Sequence, residues 1–281
     1  MSRRFRLLAL DVDGTLLDRL GVLRESTIAA IARAQRSGIR PVLCTGRRFR
    51  RAKPIAERLG IDAPIVCNSG AIVKTPDGRN TLRRADFNPS DIADLFAFFL
   101  ENDQPAVAFA DRGVDGPDFF VPALRTGRPL FDEYVEMNEP YASVVADWPT
   151  GLAVEPLFHL CAIGERPAMS RLELALHDRF PDRFRTFTQK SPHYTGTMCE
   201  ILRRDAGKWT AVLHLAELWG IAPEEICAVG DDMNDLPMIE GAGFGVAMGH
   251  APEVVRLAAD HVTGDHDQDG VAALVDHILS A

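Results

Sequence analysis

In "LLALDVDGTLLD" two carboxylates one residue apart, Asp11 and Asp13, follow the apolar run Leu7–Leu10. Carboxylates repel each other, and ending a buried strand in them costs free energy unless something compensates. A divalent cation together with a phosphoryl group would do so. Three more polar clusters follow apolar runs: Thr45, Gly46 and Arg47 after "RPVLC", Asn68–Ala71 after "APIVC", and "GDDMND" at Gly230–Asp235 after "EEICAV". Lys208 opens the predicted helix before the last of these. Phosphoryl transfer needs these group types. A carboxylate can attack phosphorus, and a divalent cation offsets the repulsion between the two anions. A hydroxyl and backbone N–H groups hold phosphate oxygens, a lysine adds fixed positive charge, and a second carboxylate can donate and then accept a proton.

Such residues must be carried to one place by the elements before them. The first third of the chain alternates strand and helix. The strands are "FRLLAL", "RPVLC" and "APIVC". One helix is "STIAAIARAQRSG", with Ser26 as N-cap and Gly38 as stop, and another is "FRRAKPIAERLG". Short continuous apolar runs separated by helices predict a parallel sheet covered on both faces. Open parallel sheets bind ligands at the carboxyl ends of their strands, where these clusters fall. The rhythm changes near Arg83. The helix "NPSDIADLFAFFLEND" is followed by the strands "PAVAFAD", "LFHLCAIGE", "RFRTFTQ" and "TMCEILRR", with the helix "RPAMSRLELALHDRF" among them. From Lys208 the strand–helix pattern resumes. The expected fold is α/β: a Rossmann-like parallel-sheet core, residues 1–84 and 205–281, interrupted by a mixed α/β domain, residues 85–204.

Composition bounds the class. The chain has 281 residues, 46% of them hydrophobic and 25% charged, as in soluble globular proteins. No run approaches the ~18 apolar residues of a membrane span, and in the basic start "MSRRFRLLAL" the apolar run is too short for a signal peptide and lacks a cleavage site of small residues. The formal charge of −9 disfavours nucleic acid and anionic membranes as partners, though a bound metal ion can still attract an anionic substrate. Five cysteines without a C-x-x-C pair are expected as core residues of a cytoplasmic, reducing compartment. Oligomeric state is not legible.

In this order D-x-D-G-T at Asp11–Thr15, Thr-Gly-Arg, a later lysine and G-D-x-x-N-D at Gly230–Asp235 resemble the four motifs of the haloacid dehalogenase superfamily. The insertion between the second and third motifs resembles the type C2 cap of the Cof-like phosphatases, and "GVAMGHAPEVV" is similar to that group's tail. The resemblance implies an Mg²⁺-dependent phosphatase of small phosphorylated metabolites, sugar phosphates first, working through an aspartyl-phosphate. Asp11 is then the nucleophile and a metal ligand. Asp13 is the general acid/base and binds metal through its backbone carbonyl. Thr45 and Gly46 bind phosphate, and Lys208 stabilises nucleophile and phosphate. Asp231 is the third metal contact, Asn234 reaches the phosphate, and Asp235 orients Lys208 or Asp231. The cap implies selection of the leaving group.

Plainer readings stand beside these. Asp11 and Asp13 could cap a turn, Gly14 and Thr15 could serve turn and cap, Thr45 could be an N-cap, and Lys208 a solvated lysine. Around Lys208 the sequence is "DAGKWTA", with Trp209 where relatives carry a small residue. Asp232 is expected as a solvated or capping carboxylate, and Asn68 and Gly70 as shaping the loop that faces the phosphate. His250, where relatives often have Asn, is expected as a loop residue, and His261 and His266 as parts of a solvated acidic turn. Arg125, Arg128, His193, Tyr194 and Glu200 in the insertion are candidates for leaving-group selection. The alternative functions are a phosphomutase or phosphotransferase on the same fold, a receiver-type signalling domain (commonly ~120 residues without an insertion), and a phosphate sensor without turnover.

Overall fold

The computed structural model describes residues 5–152, 155–190 and 194–280. Two compact units are present, one of residues 1–83 with 207–281 and one of residues 84–206. His193 and the lead-in at 1–4 lie outside the described residues.

The first unit is built on a five-stranded, all-parallel sheet in the order His261–Val262, Phe244–Ala247, Ile226–Gly230, Leu7–Leu10, Arg40–Leu43. Leu7–Leu10 is an interior strand and every residue of it is buried, as a strand covered on both faces requires. Registers are level: Leu10 lies opposite Val229 on one side and Leu43 on the other. The three strands therefore end together. Helices Glu25–Arg36, Phe49–Arg58, Lys208–Leu218 and Gly270–Ser280 each bury an apolar stripe. Gly38 follows the first of them at φ +81°, its N–H donating to the Gln35 carbonyl, so it ends that helix as expected.

Two details differ from expectation, and one of the plainer readings fails. Ser26 is not the N-cap; the helix begins at Glu25, and the Ser26 hydroxyl donates to Asp269. Thr45 is not an N-cap either, because its helix starts only at Phe49, after Arg48. The strand Ile65–Cys67 touches the parallel sheet through the single bridge Cys44–Val66. Its other edge pairs antiparallel with Ile72–Lys74, which with Thr81–Arg84 makes a small three-stranded sheet.

The second unit has a six-stranded sheet in the order Phe184–Lys190, Thr197–Arg203, Leu157–Gly164, Ala106–Ala110, Phe119–Val121, Ala142–Val144. All neighbours are antiparallel except the last pair. Leu95 and Phe96 of helix Pro89–Glu101 and Leu172 and Leu176 of helix Arg166–Arg179 join Ala108, Leu160 and Ile201 of the sheet in one apolar core. Asn88 precedes the first of these helices, and its N–H donates to the Asp91 carboxylate, 3.2 Å.

Candidate active site

The site follows from the level strand ends. One residue beyond the strand Leu7–Leu10, the Asp11 N–H donates to the Val229 carbonyl, 3.1 Å, so Asp11 sits beside Gly230 and Asp231. On the other side Cys44 N–H donates to Leu10 O, 2.8 Å, and Thr45 N–H to Val66 O, 2.9 Å, which draws Thr45 into line. After Asp13 the chain must turn against Asp231. Gly14 allows this: its φ is +82°, and a Cβ there would lie 2.2 Å from an Asp231 carboxylate oxygen.

Lys208 reaches this line from the first residue of its helix. Its Nζ donates to Asp11 Oδ1 at 2.7 Å, Asp235 Oδ1 at 2.6 Å and Asn234 Oδ1 at 3.2 Å, and all four side chains are buried. A buried ammonium needs this many acceptors. Burial by itself would lower the Lys208 pKa, but Asp11 and Asp235 outweigh it and hold the amine above its ordinary range. Asp235 is fully used: its second oxygen accepts the N–H groups of Asp231 (3.1 Å) and Asp232 (3.2 Å). It therefore orients both Lys208 and the Asp231 backbone, joining two roles that the sequence posed as alternatives.

Asp11 differs. One oxygen faces Lys208, while Oδ2 is buried without a hydrogen-bond partner. Burial first, and then repulsion from Asp235, pushes its carboxyl well above the ordinary range against the pull of Lys208. Burial and Asp235 likewise raise Asp231 to about 7. Asp231 accepts a bond from the Thr15 hydroxyl at 3.3 Å, and His250 Nε2 lies 3.6 Å from its other oxygen.

Carboxylate oxygens of Asp11, Asp231 and Asp235 lie within 4.8 Å of one another, the only such grouping of three potential metal ligands among the described residues. With Lys208 as the one cation bonded within it, the trio keeps two negative charges when fully ionised. A divalent cation matches that surplus, and hard oxygen donors suit Mg²⁺. Because Asp235 is committed to an ammonium and two amides, the oxygens suited to an ion are those of Asp11 and Asp231. Asp11 Oδ2, buried without a hydrogen-bond partner, is the atom that best fits an ion.

Asp13 stands apart from this trio. Its carboxylate accepts two parallel bonds from Arg47, Nε to Oδ2 at 2.7 Å and Nη2 to Oδ1 at 2.6 Å. Thr45, wholly buried, accepts the Arg47 N–H on its hydroxyl at 3.1 Å, and Gly46 lies in the same turn. The Asn68–Gly70 turn packs behind both arms. Ser69 N–H donates to Thr45 O, Asn68 N–H to Arg47 O, and a Cβ on Gly70 would lie 2.1 Å from the Gly207 carbonyl carbon. Asn68 and Ser69 hold φ of +48° and +53°, uncommon for residues with side chains.

The structure thus brings Asp11, Lys208, Asp231, Asn234 and Asp235 into one cluster, with Asp13, Thr45 and Gly46 on the neighbouring loops. His250 lies in the turn that follows Phe244–Ala247, as expected, and is beside Asp231, with a His266 ring nitrogen 2.9 Å away. His261 is elsewhere, stacked on His277 at 5.1 Å. In the second unit Arg125 pairs with Glu136 and Arg128 with Asp103 on exposed surface. Tyr194 meets Tyr134 edge-on, and Glu200 is buried opposite Cys161. The residue without an assigned role in the sequence reading was Arg47; its place two residues after Thr45 was the available signal.

The sequence profile of the haloacid dehalogenase-like hydrolases matches residues 8–275. The pyridoxal phosphate phosphatase YbhA of Escherichia coli is 27% identical over 290 residues, spanning 96% of this chain and 97% of that protein. The 5-amino-6-(5-phospho-D-ribitylamino)uracil phosphatase YitU of Bacillus subtilis is 28% identical over 282 residues, covering 100% of both chains. Among solved structures, BT1666 of Bacteroides thetaiotaomicron, described among the phosphatases of that superfamily, superimposes with a TM-score of 0.79 at 26% identity, over 100% of this chain and 97% of that one.

Proposed function

The chain belongs to the haloacid dehalogenase-like hydrolase family, and from that premise we propose that it is an Mg²⁺-dependent phosphatase of small phosphorylated metabolites, sugar phosphates first among them. The observation that carries this reading is Asp11. It is a buried carboxylate at the end of the interior strand Leu7–Leu10, with one oxygen on Lys208 and the other without a hydrogen-bond partner. Residues 1–84 and 205–281 form the catalytic core in this reading, and residues 85–204 the domain that selects the leaving group.

Asp11 and Asp231, with the Asp13 backbone carbonyl, would hold the ion. When bound, it offsets the repulsion between the Asp11 carboxylate and the phosphate. Asp11 attacks phosphorus in line. The ester P–O bond breaks, its electron pair stays on the leaving oxygen, and protonated Asp13 supplies the proton. Asp13, now a carboxylate, takes a proton from water. The resulting hydroxide attacks the phosphorus of phospho-Asp11, which frees phosphate and restores Asp11. Lys208 keeps Asp11 turned toward the phosphate, and Asn234, its oxygen on the lysine, meets a phosphate oxygen as a donor. Thr45 and Gly46 hold further phosphate oxygens.

A panel of sugar phosphates, nucleotides and pyridoxal phosphate, assayed for inorganic phosphate with Mg²⁺ and with EDTA, tests the reading. Release that requires both Mg²⁺ and Asp11 is expected. Phosphate appearing only on an added sugar acceptor would point instead to a phosphotransferase, and full turnover by Asp11→Asn would end the proposal.

A further inference from the structure

Asp13 must do two things in the reaction proposed above: protonate the leaving oxygen, then deprotonate water. Both need its carboxylate held in one orientation, yet it is the most exposed acid of the site, its side chain 28% exposed. A two-pronged bond from Arg47 constrains it.

We propose that Arg47 is the positioning residue of the general acid/base, an inference that rests on the assignment of that role to Asp13. The fork is two-pronged, 2.7 and 2.6 Å, which fixes the plane of the carboxylate as well as its distance. A carboxylate offers about four lone-pair sites. The guanidinium takes one on each oxygen, so the fork by itself uses up neither oxygen. Arg47 is itself rooted at both ends of its peptide unit. Its N–H donates to the Thr45 hydroxyl and its carbonyl accepts the Asn68 N–H, 3.1 and 3.0 Å. Its side chain is only 13% exposed. A lysine here would supply charge without a plane. Two cations thus divide the work. Lys208 holds the nucleophile, Arg47 holds the proton carrier, and the two carboxylates are kept from exchanging partners. Arg47 touches neither phosphorus nor the leaving group in this account.

The two roles of Asp13 separate on substrates with different leaving groups. Nitrophenolate leaves without a proton, whereas an alkoxide needs one, and both reactions need the base in the second step. The holoenzyme with Mg²⁺ is compared as wild type, Arg47→Met, Arg47→Lys and Asp13→Asn on p-nitrophenyl phosphate and on an alkyl phosphate that the wild type hydrolyses. Arg47→Met is expected to release its first equivalent of nitrophenolate at the wild-type rate and then slow about tenfold or more, giving a burst. Its kcat on the alkyl phosphate falls by at least as much, within the ~10²–10⁴-fold worth of the acid/base itself, while inhibition by inorganic phosphate is unchanged. Arg47→Lys falls between. A slowed first turnover together with weakened inhibition by phosphate would overturn the proposal and make Arg47 a phosphate ligand. Unchanged kinetics in Arg47→Met beside a slowed Asp13→Asn would overturn this inference alone. Unchanged kinetics in Asp13→Asn would remove the assignment of Asp13 on which it rests.

Discussion

Asp235→Asn is nearly isosteric, yet the hydrogen-bond pattern forbids it. The carboxylate accepts Lys208 Nζ on one oxygen at 2.6 Å and two backbone N–H groups on the other, and Asp235 is wholly buried. An asparagine has one carbonyl oxygen. Its NH₂ must then face either an ammonium or two amide hydrogens, donor against donor, whichever way it turns. Breaking a buried pair from one side costs about 3–5 kcal/mol. Relief of the repulsion that Asp235 exerts on Asp11 and Asp231 returns part of that, on the order of 1 kcal/mol for each pKa unit regained. The net loss is roughly 2–4 kcal/mol, or about 5–15 °C in Tm for a unit of this size. Thermal and urea denaturation of the protein without added divalent metal read it directly. Asp235→Asn is expected to be no more stable than Asp235→Ala. A Tm for Asp235→Asn within a degree or two of wild type would refute the reasoning, because it would mean that the lysine and the amides do not depend on a two-oxygen acceptor.

Other outcomes follow from the same cluster. Folded Asp231, raised from 3.8 to about 7, binds a proton that the unfolded chain has already lost. Metal-free stability should therefore fall as pH rises from about 6 to about 8, by roughly 1 kcal/mol; denaturation midpoints check this, and Asp231→Asn should flatten the slope. Mg²⁺ binds the ionised carboxylates, so at the upper end of that range it should restore stability, by about 2.7 kcal/mol at a hundredfold excess over Kd, as a Tm titration will show. Gly70→Ala places a Cβ at φ +93° against the Gly207 carbonyl carbon, 2.1 Å away. It is expected to cost about 1–3 kcal/mol of strain and to lower kcat more than it raises KM, since the start of the Lys208 helix is what must shift.

Much of this site was legible because chemistry-bearing residues ended strongly apolar runs. Leu7–Leu10, Arg40–Leu43 and Ile226–Gly230 are continuous buried strands, and parallel pairing in level register leaves little freedom in where Asp11, Thr45 and Asp231 fall. The α/β core with an inserted mixed-sheet unit was foreseen from the same pattern. What escaped was structure held by neighbours rather than by its own sequence. Strands Ile72–Lys74, Phe119–Val121, Ala142–Val144 and His261–Val262 are only two or three residues long, too short for a period to register. Helix Pro129–Asn138 follows a loop of glycine, proline and charge that masks its start. Ser26 reads as a cap from residue type alone, but cap position depends on where the backbone first turns helical, and a tertiary bond to Asp269 claims its hydroxyl. The approach of His250 to Asp231 and the fork of Arg47 on Asp13 are contacts across 19 and 34 residues that no local pattern encodes.

The central claim is that Asp11 carries the phosphoryl group. It is tested most directly in Asp13→Asn, where hydrolysis of the acyl phosphate is slowed, by acid-quenching the protein during turnover of p-nitrophenyl phosphate with Mg²⁺ and locating the phosphoryl group by mass spectrometry. The account predicts one phosphoryl group per active chain, on Asp11, lost when EDTA replaces Mg²⁺. Nitrophenolate release in excess of enzyme with Asp11 unmodified throughout would contradict it.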